Sequence, residues 1–259
     1  MKTQNPSQVK QIIPAYQKQL RIIPLDEPFL NISEFFMDTI QGEGVNIGVP
    51  SAFLRMQHCT LNCLWCDTEE VWRRGNPYTF EELFLLMEKA GLIDRLDAGH
   101  HLILTGGSPL RQQKALRDFF DIFSIRYGFL PYLEIENECT ILPSGIESII
   151  SCWNNSPKLS NSGNPRHLRY HPPVLRELSS YSNSWFKFVV SCPDDWNEIQ
   201  TDFISPGWIE KDQIILMPQG GDIIELEKNR DMVVKLAVAN GVRFSGRLHV
   251  TLWNTLTGV

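Results

Sequence analysis

Three of the six cysteines lie within eight residues of one another, a spacing typical of a metal centre. Cys59 is followed after three residues by Cys63, and Cys63 after two residues by Cys66. Zinc sites usually take four ligands from two separated pairs, and no second pair follows here. Three thiolates on one loop suit a cubane iron–sulfur cluster that leaves one iron open to a ligand. Zinc completed from a distant segment, and three buried or disulfide-linked thiols, remain the alternatives.

The other three cysteines, Cys139, Cys152 and Cys192, are too dispersed along the chain to form a second cluster. We expect them to be ordinary buried thiols. A small secreted scaffold would be shorter and would spread its cysteine pairs evenly, so the cluster favours a metal rather than a disulfide framework.

Two further segments carry residue types that chemistry could use. Gly106 and Gly107 follow the apolar run His101–Leu104, and tandem glycines let a ligand approach the backbone closely. Arg55 lies inside the apolar run Ala52–Met56, and a buried arginine needs an anion. We expect that anion to be the carboxylate of a substrate, with a structural salt bridge as the alternative.

The elements that would position these residues alternate between strands and helices. The predicted strands are Ala52–Met56, His101–Leu104, Tyr132–Ile135, Phe186–Val190, Gln213–Met217 and Leu248–Leu252. One predicted helix begins at Thr79. Three others cover Gln113–Tyr127, Ser144–Trp153 and Asp222–Asn240. Glu82 and Glu225 complete capping boxes at the first and last of these helices, and Gly241 ends the last one.

This alternation predicts an α/β fold with a parallel sheet, in which chemistry lies at the carboxyl ends of the strands. About six parallel strands with a reduced helix set favour a partial (β/α) barrel. We expect residues 1–30 to form an N-terminal extension on the surface or on a partner. Residues 31–259 would be a single domain with an irregular insertion at about 154–173.

Composition excludes several function classes. Of the 259 residues, 42% are apolar and 21% charged, values that are ordinary for a globular chain and exclude a disordered or fibrous one. The net charge of −6 argues against binding nucleic acid by general electrostatics. There is no run of about 20 apolar residues and no apolar signal core in the first ten residues, so we expect a soluble, cytoplasmic protein.

The spacing C-x3-C-x2-C resembles that of radical S-adenosylmethionine (SAM) enzymes, and its wider context resembles the 7-carboxy-7-deazaguanine synthases. The loop Gln41–Gly44 (Q-G-E-G) and the cluster ending Cys66–Thr68 (C-D-T) are the most specific matches. Further matches run in the family's order along the chain, at Phe53–Arg55, Thr105–Pro109, Ser156–Lys158, Lys187–Val190, Leu216–Gln219, Leu248–His249 and Gly258–Val259. The resemblance extends from about residue 32 to the C-terminus.

The resemblance implies a carbon–nitrogen lyase of 7-deazapurine (queuosine-type) biosynthesis. One 4Fe-4S cluster on Cys59, Cys63 and Cys66 would bind the methionyl amine and carboxylate of SAM. Reductive cleavage of SAM would give a 5′-deoxyadenosyl radical, which would take a hydrogen atom from 6-carboxy-5,6,7,8-tetrahydropterin. The pterin ring would contract and lose ammonia to give 7-carboxy-7-deazaguanine, with assistance from magnesium.

The resemblance also implies roles for individual residues. SAM would contact Trp65, Gly106, Gly107, Ser108, Glu136, Ser156, Lys158 and Gln219. The pterin would contact Gln41, Glu43, Gly44, Arg55, Thr105 and His249. Thr68 would contact magnesium, which prefers oxygen ligands. Each of these positions also has an ordinary structural explanation, such as a polar turn, a solvated lysine or a satisfied core histidine.

The chain departs from the family pattern at three places. Ser108 stands where a glutamate is usual in the G-G-x-P motif. Asn137-Glu138-Cys139 replaces the end of an E-T-N-G-like segment, so only Glu136 is given a role there. His58 stands where a glycine often precedes the first cysteine, which would alter the shape of the loop.

Two other functions remain open, namely another radical SAM enzyme, such as a glycyl-radical activase, and a non-catalytic regulatory relative. An activase shares the cysteine spacing but lacks the Q-G-E-G and C-D-T segments. The partners that the resemblance implies are the small-molecule pterin, an electron donor such as flavodoxin, and a second copy in a homodimer. We expect no direct contact with nucleic acid or membrane.

Overall fold

A mostly parallel sheet organises the molecule. The computed structural model describes residues 9–18, 20–24, 26–256 and 258. Ten strands of this part of the chain form one sheet in the order β1-β2-β3-β5-β6-β7-β8-β9-β10, with β4 paired to β2. The strands are β1 (Lys10–Ile13), β2 (Phe29–Ile40), β3 (Pro50–Met56), β4 (Asn76–Thr79), β5 (His101–Gly106), β6 (Tyr132–Asn137), β7 (Cys152–Asn155), β8 (Ser184–Val190), β9 (Ile214–Pro218) and β10 (Arg243–Phe244).

The parallel part of the sheet runs from β3 to β10 by way of β5, β6, β7, β8 and β9. Strand β2 is antiparallel to each of its partners, β1, β3 and β4. Leu102, Ile103 and Leu104 of β5 are fully buried, because a central parallel strand is covered on both faces. The result is the expected α/β class with a mostly parallel sheet.

Helices fill the connections between the strands. They are α1 (Glu69–Trp72), α2 (Phe80–Ala90), α3 (Leu92–Asp97), α4 (Gln113–Tyr127), α5 (Arg166–Arg169), α6 (Pro172–Ser179), α7 (Asp194–Ile199), α8 (Ile223–Asn240) and α9 (Leu248–Trp253). Helices α2 and α4 pack together through Phe84 and Phe119, whose stacked ring centroids are 4.6 Å apart. In the described part of the chain, no helix has both the length and the apolar character that crossing a membrane requires.

Local sequence signals account for the ends of the long helices. The capping box of Thr79 and Glu82 is present at the start of α2. Asp222 accepts a hydrogen bond from the Glu225 amide at α8, and Gly241 ends that helix in the left-handed conformation. The Glu225 carboxylate accepts from the Gly221 amide, so the second half of the predicted box at α8 is replaced by a neighbouring contact.

Two predicted elements are wrong. Residues 144–153 contain only a short 3-10 turn at Glu147–Ile149 before β7 begins, and no α-helix. The spacing of the apolar residues Ile146, Ile149 and Ile150 is that of a helical face, which led to the wrong prediction. In the structure, Asn154 and Asn155 are buried in a strand that pairs with β6 and β8. The sequence did not indicate strand β7 because asparagine has a low β propensity.

The second error concerns Leu248–Leu252, which lies in helix α9 and not in a strand. Alternating apolar residues imitated a strand, but only Val250 is buried and Leu252 is 54% exposed. With β7 and β10 added and this strand removed, seven strands of the described chain are paired in parallel, where about six were predicted.

The N-terminal extension and the insertion both contain ordered elements. Within the extension, β1 pairs with β2, and Ile13 is buried in the core. Residues 1–8, 19 and 25 lie outside the described part. The insertion predicted at 154–173 begins inside β7 and contains α5, so its irregular part is mainly 156–165.

Candidate active site

A cavity of about 500 Å³ opens at the carboxyl ends of the parallel strands. It gathers most of the residues that the sequence singled out. Those that line it are Gln41, Glu43, Arg55, Cys59, Cys63, Trp65, Cys66, Thr68, Thr105, Gly106, Gly107, Glu136, Ser156, Lys158, Gln219 and His249. Gly44 and Ser108 do not line it. The Gly44 amide donates to Ser245 Oγ, and Ser108 is fully buried behind the glycine turn.

The cysteine loop leaves β3 and enters α1. His58 has a φ of 70°, the left-handed conformation that glycine adopts freely, so the loop keeps a glycine-like backbone at this position. The His58 amide donates to the carbonyl of Trp72, and the His58 carbonyl accepts from the Ser108 amide. The loop is therefore anchored on one side to α1 and on the other to the glycine turn.

Each of the three cluster cysteines is free and accepts one N–H hydrogen bond at sulfur. Cys59 Sγ accepts from the Leu61 amide at 3.4 Å, and Cys63 Sγ from Asn164 Nδ2 at 3.2 Å. Trp72 Nε1 donates to Cys66 Sγ at 3.4 Å. Such donors stabilise negative charge on sulfur and tune the potential of an iron–sulfur cluster.

The protonation of these thiols also depends on their surroundings. Burial, with a contribution from the negative charge of Glu138, raises the pKa of Cys59 to about 12. Burial likewise raises the pKa of Cys63. Metal binding must therefore displace protons from both thiols.

The three cysteines share one cavity, as the ligands of an iron–sulfur cluster would. In the described residues no three side chains of the metal-binding types converge to hold one metal ion. A cubane instead takes each thiolate at a different iron, so its ligands stand apart. Cys59, Cys63 and Cys66, three free thiols around one cavity, suit that arrangement.

The glycine turn is required by the packing of the protein itself. A Cβ at Gly106, whose φ is 121°, would overlap the backbone of Met56. A Cβ at Gly107 would overlap the carbonyl of His58. The tandem glycines thus let the turn lie directly against the cysteine loop, in addition to bordering the cavity.

The irregular segment 156–165 supports the cysteine loop from the other side. The Leu64 amide donates to the carbonyl of Ser162, and the Asn62 amide donates to Asn164 Oδ1. Trp65 Nε1 donates to Asn161 Oδ1, and the Lys158 ammonium lies 5.5 Å from the Trp65 ring centroid. The predicted SAM residues Trp65 and Lys158 are therefore brought together by this segment.

Polar side chains at the floor of the cavity are linked to one another by hydrogen bonds. Glu136 accepts from Thr105 Oγ1 at 2.7 Å and from Gln41 Nε2 at 3.3 Å. Gln41 Oε1 accepts from the Glu43 amide. Glu136, which was assigned to SAM, thus contacts two residues that were assigned to the pterin.

Glu43 is the centre of a buried ion network. It pairs with Lys187 and, at 2.8 Å, with Arg247 Nε. Arg247 also pairs with Asp67, through Nη2. Burial alone would raise the pKa of Glu43, but Lys187 and Arg247 hold it well below the usual range. His249 Nε2 lies 3.9 Å from Glu43, and burial lowers the pKa of this histidine, which favours the neutral ring at pH 7.

Arg55 has an anionic partner within the protein. Its Nε lies 2.7 Å from Glu34 Oε1, and Glu34 is 1% exposed. The structure therefore contains the structural salt bridge, which was the alternative to the expected substrate carboxylate. Arg55 nevertheless borders the cavity.

The structure also gives the contacts of three further predicted site residues. Thr68 immediately precedes α1, with its Oγ1 3.9 Å from Cys66 Sγ. Gln219 is held by Asn229, which donates to its backbone carbonyl at 2.7 Å. His249 lies against Gly42, where a Cβ would overlap the imidazole ring.

Sequence reasoning missed several cavity residues and loop supports. Lys187 lies in a segment quoted for the family resemblance, but no role was given to it. Arg247 had a usable signal, since it is a cation two residues before His249. Asn161 and Asn164 stand in a stretch without periodicity, and nothing in the sequence marks them. Of the remaining cysteines, Cys139 and Cys152 are buried as expected, but Cys192 is exposed, which corrects the prediction.

Comparisons with known proteins agree with this geometry. A family model described as a 4Fe-4S single cluster domain matches residues 40–129. The 7-carboxy-7-deazaguanine synthase of Halobacterium salinarum is 30% identical over 88% of this chain and 92% of its own length. That of Rhodopirellula baltica is 30% identical over 90% of both chains. That of Pyrobaculum aerophilum is 29% identical over 89% of this chain and 98% of its own.

The fold has a counterpart among solved structures. The crystal structure of QueE from Escherichia coli superposes with a TM-score of 0.65 at 20% sequence identity, and the match covers 85% of this chain and 95% of that one. At this identity the likeness concerns the fold. The sequence matches extend over nearly the whole length of the relatives. The chain belongs to the 7-carboxy-7-deazaguanine synthase family.

Proposed function

We propose that this protein converts 6-carboxy-5,6,7,8-tetrahydropterin to 7-carboxy-7-deazaguanine by radical SAM chemistry in 7-deazapurine biosynthesis. The observation that carries the proposal is the shared cavity, which brings the three-cysteine loop together with Gln41, Thr105 and Glu136. Family membership supports the same reaction. Substrate and product differ by one molecule of ammonia, so the conversion involves no net oxidation.

Cys59, Cys63 and Cys66 would hold the 4Fe-4S cluster. When bound, the cluster and SAM supply a deoxyadenosyl radical that can abstract a hydrogen atom from the substrate. The chain itself fixes the thiols through Asn164 and Trp72 and encloses the site between the cysteine loop and the segment 156–165.

For SAM we propose the surfaces formed by Trp65, Lys158 and the glycine turn. Trp65 offers a flat apolar face for an adenine, and Asn161 fixes its ring. Backbone groups of Gly106 and Gly107 border the same cavity, as do Ser156, Glu136 and Gln219. Ser108 does not reach the cavity, so its part is indirect.

For the pterin we propose the polar floor and the ion network. Gln41 presents an amide, and Glu136 and Thr105 add a carboxylate and a hydroxyl, which match donors and acceptors on a pterin edge. Arg247 and Lys187 carry positive charge beside this region and are paired with Glu43. His249 and Arg55 border this region, and Gly44 shapes it from behind.

Magnesium is proposed at Thr68, whose hydroxyl borders the cavity beside the cysteine loop. A single protein oxygen, together with oxygens of the substrate and water, is a normal magnesium environment. The fold is proposed to be the partial (β/α) barrel of radical SAM enzymes, in one domain from residue 31. We further propose a homodimer, an electron donor such as flavodoxin, and a cytoplasmic setting.

One reaction tests the function directly. Protein purified without oxygen and reconstituted with iron and sulfide is incubated with SAM, dithionite, magnesium and 6-carboxytetrahydropterin. Mass spectrometry is expected to detect both 5′-deoxyadenosine and 7-carboxy-7-deazaguanine. Deoxyadenosine alone would retain radical SAM chemistry and refute the substrate. Neither product, from protein with a full iron count, would refute the enzyme and favour a regulatory role.

The cysteine assignment has its own control. Cys63→Ala is expected to lose the full iron content and both products, because it removes one of three cluster ligands. Cys192→Ala removes an exposed cysteine outside the cavity and should keep the iron count and the activity of the unmodified protein. A full cluster in Cys63→Ala would show that this residue is not a ligand.

A further inference from the structure

The two oxygens of the Glu138 carboxylate have very different surroundings. Glu138 follows β6 and borders the cavity, and it is 5% exposed. Its Oε1 accepts hydrogen bonds from Thr60 Oγ1 at 2.6 Å, Ser108 Oγ at 2.7 Å and Thr140 Oγ1 at 2.6 Å. Its Oε2 is buried and has no hydrogen-bond partner among the residues that the structure describes.

The three hydroxyls come from three different segments and fix the carboxylate firmly. Thr60 belongs to the cysteine loop, Ser108 to the glycine turn, and Thr140 to the segment after β6. A side chain held in this way on one oxygen leaves the other oxygen in a defined position. A buried carboxylate oxygen without a donor is costly, so this position is suited to a ligand that brings one.

The lysines and arginines that line the cavity already have partners elsewhere. Lys158, the cation of the adjoining wall, donates to Ser156 Oγ at 2.7 Å. No ion pair in the described residues includes Glu138 within 4.0 Å. A primary amine is the group that would complete this carboxylate, since its N–H bonds would be directed at an anionic acceptor.

We propose that Glu138 Oε2 accepts a hydrogen bond from the methionyl amine of SAM. The inference rests on the proposed function, which makes SAM the ligand beside the cysteine loop. It assigns to Glu138 a binding role in orienting the amine. Ser108 becomes a positioning residue, because its hydroxyl holds the carboxylate without reaching the cavity.

This arrangement also accounts for two departures of the sequence. Ser108 removes a carboxylate from the glycine turn, and Glu138 supplies one from the adjoining strand end, with their side chains 2.7 Å apart. Cys139 follows with a φ of 64°, so the backbone keeps the left-handed turn that a glycine would adopt there. This site thus has its carboxylate on the segment after β6, where the family pattern has one on the glycine turn.

A binding cycle tests the proposal without measuring turnover. The full-length protein, reconstituted with its cluster, is compared with Glu138→Gln for two ligands, SAM and its analogue that lacks the α-amine. Glu138→Gln is expected to raise the dissociation constant of SAM about tenfold, equivalent to about 1.4 kcal/mol. The dissociation constant of the amine-free analogue should be unchanged, since the analogue has no donor for Oε2.

Two further variants provide a second test of Glu138 and a control. Ser108→Ala keeps the charge and is a small change at a buried site, and it should weaken SAM binding two- to threefold with no effect on the analogue. Glu227→Gln, an exposed carboxylate on α8, should leave both dissociation constants unchanged. If Glu138→Gln loses its cluster, the Ser108→Ala result decides in its place.

The outcomes separate this inference from the proposed function. If both variants weaken SAM and the amine-free analogue equally, or weaken neither, Glu138 does not recognise the amine. If the unmodified, iron-loaded protein fails to bind SAM at all, the proposed function fails as well. Selective loss of the amine contribution in Glu138→Gln, with SAM bound by the unmodified protein, would support both.

Discussion

At the scale of single residues, the cysteines proposed to hold the cluster accept hydrogen bonds from elsewhere in the chain. Trp72 and Asn164 direct N–H groups at Cys66 and Cys63, over 6 and 101 residues of sequence. These bonds stabilise the more negative, reduced state of a cluster more than the oxidised state. They should therefore set the potential at which the cluster accepts an electron.

Trp72→Phe is expected to shift the cluster potential to more negative values. A net hydrogen bond contributes about 1 kcal/mol, which for one electron corresponds to roughly 40 mV. A redox titration followed by electron paramagnetic resonance would measure the shift. Trp185→Phe is the matched control, because its indole packs against Arg243 and lies outside the cavity lining. Equal potentials for Trp72→Phe and the unmodified protein would contradict the role of this bond.

Arg55 and Glu34 present a second test at this scale, concerning stability. Arg55→Met leaves the buried Glu34 carboxylate without its cation and is expected to lower the free energy of unfolding by about 3–5 kcal/mol. Adding Glu34→Gln should recover part of that loss, since the uncompensated charge is then removed. Denaturant unfolding of the iron-free protein measures both values. Additive effects in the double variant would show that the pair does not act as a unit.

At the scale of elements, the ion network around Glu43 joins the Q-G-E-G loop to β8 and to the start of α9. Glu43 contacts Lys187 of β8 and Arg247, the residue just before α9. The amide of Leu248 also donates to the carbonyl of Gly42. The position of α9 over the cavity is thus fixed by charge and by backbone contacts more than by its apolar residues.

This network predicts a pH dependence of stability with a definite sign. The pKa of Glu43 is held well below its ordinary value, so its contribution is fully present above the unfolded pKa of about 4.3 and is lost as pH falls toward the folded pKa. Glu43→Gln should lower the free energy of unfolding by about 3 kcal/mol at pH 7. The difference from the unmodified protein should shrink below pH 4.3, as measured by denaturant unfolding at several pH values. A difference that stays constant with pH would show that ionisation of Glu43 does not stabilise the fold.

The elements that the sequence predicted correctly are those with local signals. The capping residues Thr79 and Asp222 marked two helices because their hydrogen bonds span three residues. The strand β7 escaped prediction because its burial comes from neighbours that are distant in sequence. The same distinction holds in the site, where the cysteine spacing was visible, whereas the pair of Glu43 and Arg247 spans 204 residues.

At the scale of the whole molecule, the C-terminal segment borders the cavity and is contacted by the N-terminal extension. Asn254, Thr255, Leu256 and Gly258 border it, so the C-terminal segment covers one side of the opening. Strand β1 of the N-terminal extension adds to the opposite edge of the sheet from β10. Gln11 of this strand donates from Nε2 to the carbonyl of Gly258 at 2.7 Å. The extension therefore holds the covering segment in place.

Gln11→Ala is expected to loosen this cover without altering the chemistry beneath it. Loss of one hydrogen bond of about 1 kcal/mol should raise the KM for the pterin roughly fivefold, with little change in kcat. Lys10→Ala is the matched control, because Lys10 lies in the same strand but donates to the carbonyl of Ala90, away from the cavity. Both variants lose one bond from β1, so only the contact with Gly258 distinguishes them. An equal rise in KM for both would attribute the effect to fraying of β1, whereas a rise confined to Gln11→Ala would assign to the extension a part in retaining the substrate.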